Sequence, residues 1–288
     1  MREWASINGK LTPADQAQVS VYDSGFMQGV GLFETMRAYD GRVFRLNAHL
    51  ARLTGAARQL GWSAIPPHDE LRRAVEQVLD AVEQSDARVR LTVTTGSLRA
   101  TESDTPRLTI VTTATPGIPY PDELYAKGAT AVISKYRQSR ADPTTGFKTT
   151  SYFSRLAALR IAHAAHAFEA LWMTPENHLA EGSISNLFLV KDAELLTPSL
   201  ETPVLPGITR AAVLEAAEGL GIPIVERGLS IDDLLAADEV FITNSLMEIV
   251  PIVRIEREPI ATEKVGEITA RLRECYADFV REECLSED

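Results

Sequence analysis

Apolar side chains recur along the chain in two rhythms, an alternation of two that suits strands and a spacing of three to four that suits helices. Trp4 to Asn8 predicts a strand, Asn8-Gly9 a tight turn, and the run Val19-Ser20-Val21-Tyr22 a second strand. Gly31 to Tyr39, Asp40-Gly41 and Arg42 to Arg45 predict a hairpin. Leu46, Leu50, Leu53, Ala57 and Leu60 then form a helical stripe with Asn47 as cap, stopped by Gly61. Asp69 to Val82 predicts a second amphipathic helix, and Val89 to Thr95 and Leu108 to Thr113 two β-branched strands.

Three prolines fall within Thr115-Pro116-Gly117-Ile118-Pro119-Tyr120-Pro121, the best linker candidate in the chain. Beyond it the pattern predicts strands at Ala129 to Ser134, Ala170 to Met173, Leu187 to Val190, Glu194 to Thr197, Ile224 to Arg227 and Glu239 to Thr243. Helices are predicted at Thr150 to His166, Thr209 to Leu220, Ile231 to Ala236 and Thr262 to about Cys284. The mixture predicts two α/β (α+β mixed) domains, 1–115 and 124–288, joined by a linker over 116–123.

Composition narrows the function. The chain has 288 residues, 45% hydrophobic and 24% charged, as in an ordinary globular protein. A net charge of -11 supplies no basic face for nucleic acid or for anionic membrane. The start, Met1-Arg2-Glu3-Trp4, lacks a secretory layout, and no apolar run approaches the roughly 18 residues of a membrane span. Cys275 and Cys284 are nine apart in one predicted helix and face opposite ways, so no disulfide is expected and a reducing, cytoplasmic setting is.

Six lysines stand against 23 arginines, and four of the six sit in turns or helix ends with surface explanations. Lys135 and Lys148 remain, and Lys148 lies in Thr144-Thr145-Gly146-Phe147-Lys148-Thr149-Thr150-Ser151-Tyr152, a polar, glycine-containing entry to a helix. Three places suit a phosphate: the helix start Pro206-Gly207-Ile208-Thr209-Arg210, the post-strand pair Asn244-Ser245, and the helix face Arg45, His49 and Arg52. Glu181 precedes an apolar strand and suits a protonated pyridine nitrogen. Each has a plain alternative: an exposed lysine, N-capping by Thr209, a solvated arginine face, a turn acid. Gly29-Val30-Gly31 lacks the third glycine of a dinucleotide loop, and His163 and His166 have no companions for a metal, so none is expected.

Together these segments resemble the class IV aminotransferases, the fold-type IV pyridoxal-phosphate enzymes. The pieces are Gly31-Leu32-Phe33-Glu34-Thr35-Met36-Arg37, Phe44 to Leu53, Phe147-Lys148-Thr149, Ala180 to Phe188, Leu205-Pro206-Gly207-Ile208-Thr209-Arg210 and Ala237 to Ser245, in the family's order from about Ile7 to Ile255. The resemblance implies a two-domain fold like that of D-amino-acid aminotransferase, with a small N-terminal α/β domain and a larger C-terminal domain. It implies pyridoxal 5'-phosphate on Lys148 as a Schiff base, with Lys148 also the proton shuttle. Glu181 would bond the pyridine nitrogen, and Tyr152 would aim at the phenolic oxygen. Arg52, the Ile208 and Thr209 amides and Ser245 with Asn244 would cradle the phosphate. Members are usually homodimers.

Within the family, Asn244 to Pro251, Glu194 to Thr202 and Ala87 to Thr92 are similar to 4-amino-4-deoxychorismate lyases, which release pyruvate and form 4-aminobenzoate. That substrate is a dicarboxylate, for which Arg90, Arg99 and Arg137 are candidate partners beside Phe33. The alternative is an aminotransferase for branched-chain or D-amino acids or R-amines. Phe33-Glu34-Thr35 is shared with branched-chain enzymes, and Thr95 stands where D-amino-acid enzymes often carry arginine. A non-catalytic binding protein on the same scaffold is the remote alternative.

Overall fold

A computed structural model describes residues 3–82, 86–99, 107–117 and 120–285. The chain gathers into two compact units, one of Met1–Ile118, Phe147–Ser151 and Val280–Asp288, the other of Pro119–Gly146 and Tyr152–Phe279. Two residues of the expected linker, Ile118 and Pro119, lie outside the described residues.

The first unit is built on an antiparallel sheet. β1 (Trp4–Ile7) turns into β2 (Lys10–Pro13) through Asn8 and Gly9 at φ 49° and 78°, the left-handed pair that a two-residue hairpin needs. β3 (Gly31–Tyr39) turns into β4 (Arg42–Val43) through Asp40 and Gly41 in the same way. With β5 (Ala87–Thr94) and β6 (Thr109–Pro116) the order is β2-β1-β6-β5-β3-β4. A short α1 (Ser24–Gln28) is capped by Asp23, whose side chain accepts from the Gly25 amide. α2 (Leu46–Gln59) packs on β3, and α3 (His68–Asp80) on β1, β5 and β6. Alternation along β5 sends Val89, Leu91 and Val93 into this core, beside Leu50, Leu53, Leu71 and Val75.

The second unit carries a mixed sheet. Its strands are β7 (Ala129–Arg137), β8 (Glu169–Met173), β9 (Leu179–Gly182), β10 (Asn186–Lys191), β11 (Glu194–Pro198), β12 (Ile224–Arg227), β13 (Glu239–Asn244) and β14 (Glu248–Ile255), with β15 (Glu258–Pro259) on β14. The order is β12-β11-β10-β13-β14-β7-β8-β9, and β7 runs parallel to both its neighbours. The helices are α4 (Asp122–Lys127), α5 (Phe153–Ala164), α6 (Ile208–Gly219), α7 (Ile231–Leu235) and α8 (Glu267–Val280). No helix among the described residues is long and apolar enough to cross a membrane.

Four expectations are corrected. Val19 to Tyr22 forms no strand; Val19 and Val21 are exposed, and Lys10–Pro13 supplies the strand that β1 needs. Asn47 does not cap α2; Arg45 holds the cap position at φ 55°, which also ends the strand expected over Arg42 to Arg45, while Asn47 accepts from Arg72. α5 starts at Phe153 rather than Thr150, because Thr149 and Thr150 are extended against β3. α8 starts at Glu267 rather than Thr262. Its cap comes from a distant strand: Glu239 accepts from the Ile268 amide at 3.0 Å, the Thr269 amide at 2.7 Å and the Thr269 hydroxyl at 2.6 Å. Glu239→Ala is therefore expected to cost about 1–2 kcal/mol in urea unfolding, with Glu239→Gln recovering part of the loss.

Candidate active site

Lys148 is placed by backbone pairing. The Phe33 amide donates to the Lys148 carbonyl at 2.9 Å, the Thr150 amide donates to the Gly31 carbonyl at 2.9 Å, and Leu32 bridges Thr149. The segment 147–151 thus adds itself to the start of β3, and the Thr150 hydroxyl fastens it to the Gly29 carbonyl at 2.7 Å. Gly31 is required there, because a Cβ would lie 2.9 Å from Thr150 Oγ1 and 3.0 Å from its Cγ2. The half-buried Lys148 reaches the Phe33 ring, its Nζ 4.7 Å from the ring centroid. The Arg90 guanidinium lies 3.8 Å from the same centroid.

On the other face of β3, Glu34 points at α2. It is 1% exposed and meets Arg52 in a two-point pair, Nε to Oε1 at 2.9 Å and Nη2 to Oε2 at 2.6 Å. His49 Nδ1 lies 2.7 Å from Glu34 Oε2. Burial works to raise the Glu34 pKa, but the charge of Arg52 and the hydrogen bond from His49 outweigh it and hold it at about 2. Burial, with the charges of Arg52 and Lys148, keeps His49 below its ordinary 6.5 against the pull of Glu34. The face expected to be solvated is in fact buried at His49 and half-buried at Arg52.

In the second unit Glu181 sits on β9, 2% exposed and surrounded by donors. Oε1 accepts from Arg155 Nη2 at 2.6 Å and Gln138 Nε2 at 2.9 Å. Oε2 accepts from the Leu205 amide at 2.9 Å and Asn186 Nδ2 at 3.4 Å. Asn186 also binds the Leu205 carbonyl and packs against Gly207, where a Cβ would collide with it. Gly207 caps α6 with no side-chain capping bond, so Thr209 is not the cap; Thr209 itself is buried one residue after Ile208. Nearby, Glu169 accepts from the amides of Ala170, Ser183 and Ile184 and from the Ser185 hydroxyl, shaping the turn after β9. Burial pushes its pKa up despite those donors.

The remaining candidates are distributed as follows. The Tyr152 hydroxyl donates to the Ser183 carbonyl at 3.1 Å. Asn244 donates to the Ile184 carbonyl and accepts from the Leu246 and Met247 amides, organising the turn that holds the half-buried Ser245. Arg99 is exposed, 3.5 Å from the Tyr22 ring centroid, and Arg137 is exposed and donates to the Ser134 carbonyl. Sequence reasoning missed the partners of the two buried acids. Arg155 and Gln138 belong to no local motif, and Asn186, although it lies in the segment Ala180 to Phe188, has no role that the sequence alone singles out. Among the described residues no group of acids, histidines and cysteines is arranged to hold a metal.

Comparison with known proteins gives the following. Residues 31–255 match the family model described as amino-transferase class IV. A protein of Methanocaldococcus jannaschii that carries a provisional branched-chain-amino-acid aminotransferase name is 36% identical over 95% of each chain. The D-alanine aminotransferase of Listeria monocytogenes is 30% identical over 96% of each chain. The aminodeoxychorismate lyase of Bacillus subtilis is 30% identical over 96% of this chain and 94% of its own. Among solved structures, the T.th. branched-chain amino acid aminotransferase with pyridoxamine 5'-phosphate is similar with a TM-score of 0.88 and 28% identity, covering 96% of this chain and 94% of that one. The 4-amino-4-deoxychorismate lyase from Pseudomonas aeruginosa gives a TM-score of 0.83 and 29% identity, covering 97% of this chain and 98% of that one.

The Glu34 cluster sets an acid limit. An unfolded glutamate protonates near 4.5 and Glu34 near 2, so its stabilisation is complete above pH 4.5 and is lost as pH falls towards 2. His49 acts in the same direction from below 6.5, where the unfolded imidazole takes up a proton that the buried one refuses. Urea midpoints are expected to fall on acidification, with Glu34 contributing roughly 3 kcal/mol of the loss. Glu34→Gln is expected to be less stable at neutral pH and to flatten the curve between pH 4.5 and 2.

Proposed function

The chain belongs to the class IV aminotransferase family, and on that footing we propose that it is a 4-amino-4-deoxychorismate lyase working as a cytoplasmic homodimer. As a member of the family it is an enzyme that uses pyridoxal 5'-phosphate, which supplies an electron sink for negative charge on the carbon bearing the substrate amine. The donor set fits that group: a half-buried primary amine in the first unit, and in the second a buried carboxylate and a helix start without a side-chain cap. Gln138 Oε1 is buried with no donor among the described residues, so the polar cluster around Glu181 is not closed by those protein atoms alone.

In this proposal Lys148 binds the cofactor aldehyde and moves the proton to and from the substrate carbon. Glu181 would hold the pyridine nitrogen. Arg52, held by Glu34, would be one phosphate ligand, and the Ile208 and Thr209 amides and Ser245 with Asn244 would be others. Tyr152 would serve the phenolic oxygen. Arg90 takes a substrate carboxylate and Phe33 lies against the substrate ring, while Arg99 and Arg137 are the further carboxylate candidates. Loss of the proton and of the enolpyruvyl group then leaves 4-aminobenzoate and pyruvate.

The observation that carries this choice is that Arg90 and Lys148 both lie against the Phe33 ring, 3.8 Å and 4.7 Å from its centroid, so that a cation for a substrate carboxylate and the amine share one aromatic side chain. The lyase-like segments 87–92, 194–202 and 244–251 support it. An aminotransferase is the second reading, favoured by the 36% identity to the M. jannaschii protein. The homodimer would cover exposed Val21, Phe26 and Met27 in the first unit and Phe153 and Leu156 in the second.

Incubation with aminodeoxychorismate is expected to give 4-aminobenzoate without amino-group transfer. Efficient glutamate formation from branched-chain or D-amino acids with 2-oxoglutarate would reject the lyase in favour of the second reading. Lys148→Ala is expected to lose the near-visible absorbance and activity by on the order of 10³-fold or more. Sedimentation is expected to give roughly twice the chain mass of 31.6 kDa.

A further inference from the structure

Arg155 stands in the first turn of α5, where the positive end of the helix dipole disfavours a cation. Its guanidinium is therefore held by something stronger. One nitrogen, Nη2, meets Glu181 Oε1 at 2.6 Å, and Nη1 donates to the carbonyls of Gly182 at 3.2 Å and Ser183 at 3.3 Å. The Tyr152 and Trp172 rings lie 5.8 Å and 5.7 Å from it. Burial works against its charge, yet the carboxylates of Glu181 and Glu169 overcome this and raise its pKa further, so it stays charged at any working pH.

The other donors to Glu181, from Gln138, Asn186 and the Leu205 amide, are neutral. A carboxylate offers about four lone-pair positions. Those of Oε1 are taken by Arg155 and Gln138, whereas the weakest contact is Asn186 at 3.4 Å on Oε2. Oε2 also has two donors, but Asn186 holds the Leu205 carbonyl more closely, at 2.9 Å, and is the donor that a further partner on Oε2 would displace.

We propose that Arg155 is a positioning residue for Glu181: it occupies Oε1 and cancels the carboxylate charge, so that the pyridine nitrogen of the cofactor meets a neutral pair through Oε2 instead of a bare anion. This rests on the assignment of Glu181 to the ring nitrogen. A neutral pair holds the ring proton less tightly than an isolated carboxylate does, which sets the strength of the electron sink.

The test follows the near-visible band of the cofactor-loaded protein against pH, its midpoint reporting protonation at the Lys148 nitrogen. Arg155→Gln leaves a net charge of about -1 and is expected to raise that midpoint by about one pH unit. Arg155→Lys keeps the charge and is expected to stay within about 0.3 unit of the parent. Arg155→Met, which preserves the stem between the Tyr152 and Trp172 rings, repeats the measurement should the glutamine variant not fold. A lowered Tm with an unmoved midpoint in the Gln and Met variants overturns the proposal and leaves Arg155 a structural residue. Glu181→Gln separates the two layers: it is expected to lower the midpoint and to weaken cofactor binding by fluorescence titration. If Glu181→Gln changes neither, the assignment of Glu181 itself fails.

Discussion

A carboxylate withdrawn from water must be given donors within hydrogen-bond reach, and in each unit one such acid, Glu34 in the first and Glu181 in the second, also receives the countercharge of an arginine at 2.6 Å. In the first unit Glu34 fixes Arg52 and His49 on α2; in the second Glu181 fixes Arg155 on α5 and ties it to the loop that opens α6. These pairs tie α2 to β3 and α5 to β9. Breaking one by removing a single partner leaves a buried charge, a far larger penalty than loss of a surface ion pair. The two arginines have opposite tasks in the proposed enzyme. Arg52 is itself held in place so that it can hold an anion, whereas Arg155 is spent on moderating another group.

The rhythm of apolar residues made most of both sheets legible, since Val89, Leu91 and Val93 or Leu187 and Leu189 can face only a core. Where it misled, pairing overruled propensity. Val19 to Tyr22 has strand composition but no strand to pair with, and Leu179–Gly182 is a strand that ends in a glycine because Glu169 and Ser185 leave no room for a Cβ. Thr150 has a helical sequence context, yet its amide goes to Gly31.

Site residues were legible to different depths. Lys148, taken residue by residue, looked like a surface amine; only the company of the other segments singled it out. His49 was read on a solvated face because a helix stripe does not reveal an acid waiting on a strand opposite. Arg155 and Gln138 carry no spacing signature at all, and Asn186 sits in a recognisable segment without anything there to show which acid it serves. What places them is Glu181, and a buried acid does not announce in sequence which donors will reach it.

One further property follows from the way the Lys148 segment joins β3. Residues 31–33 acquire that neighbour only when 147–151 arrive, from far downstream in the chain. During synthesis the Gly31-Leu32-Phe33 edge emerges early, apolar and with backbone groups unclaimed on that side, and such an edge invites pairing with other chains. The segment that carries Lys148 is also what covers this edge in the folded unit.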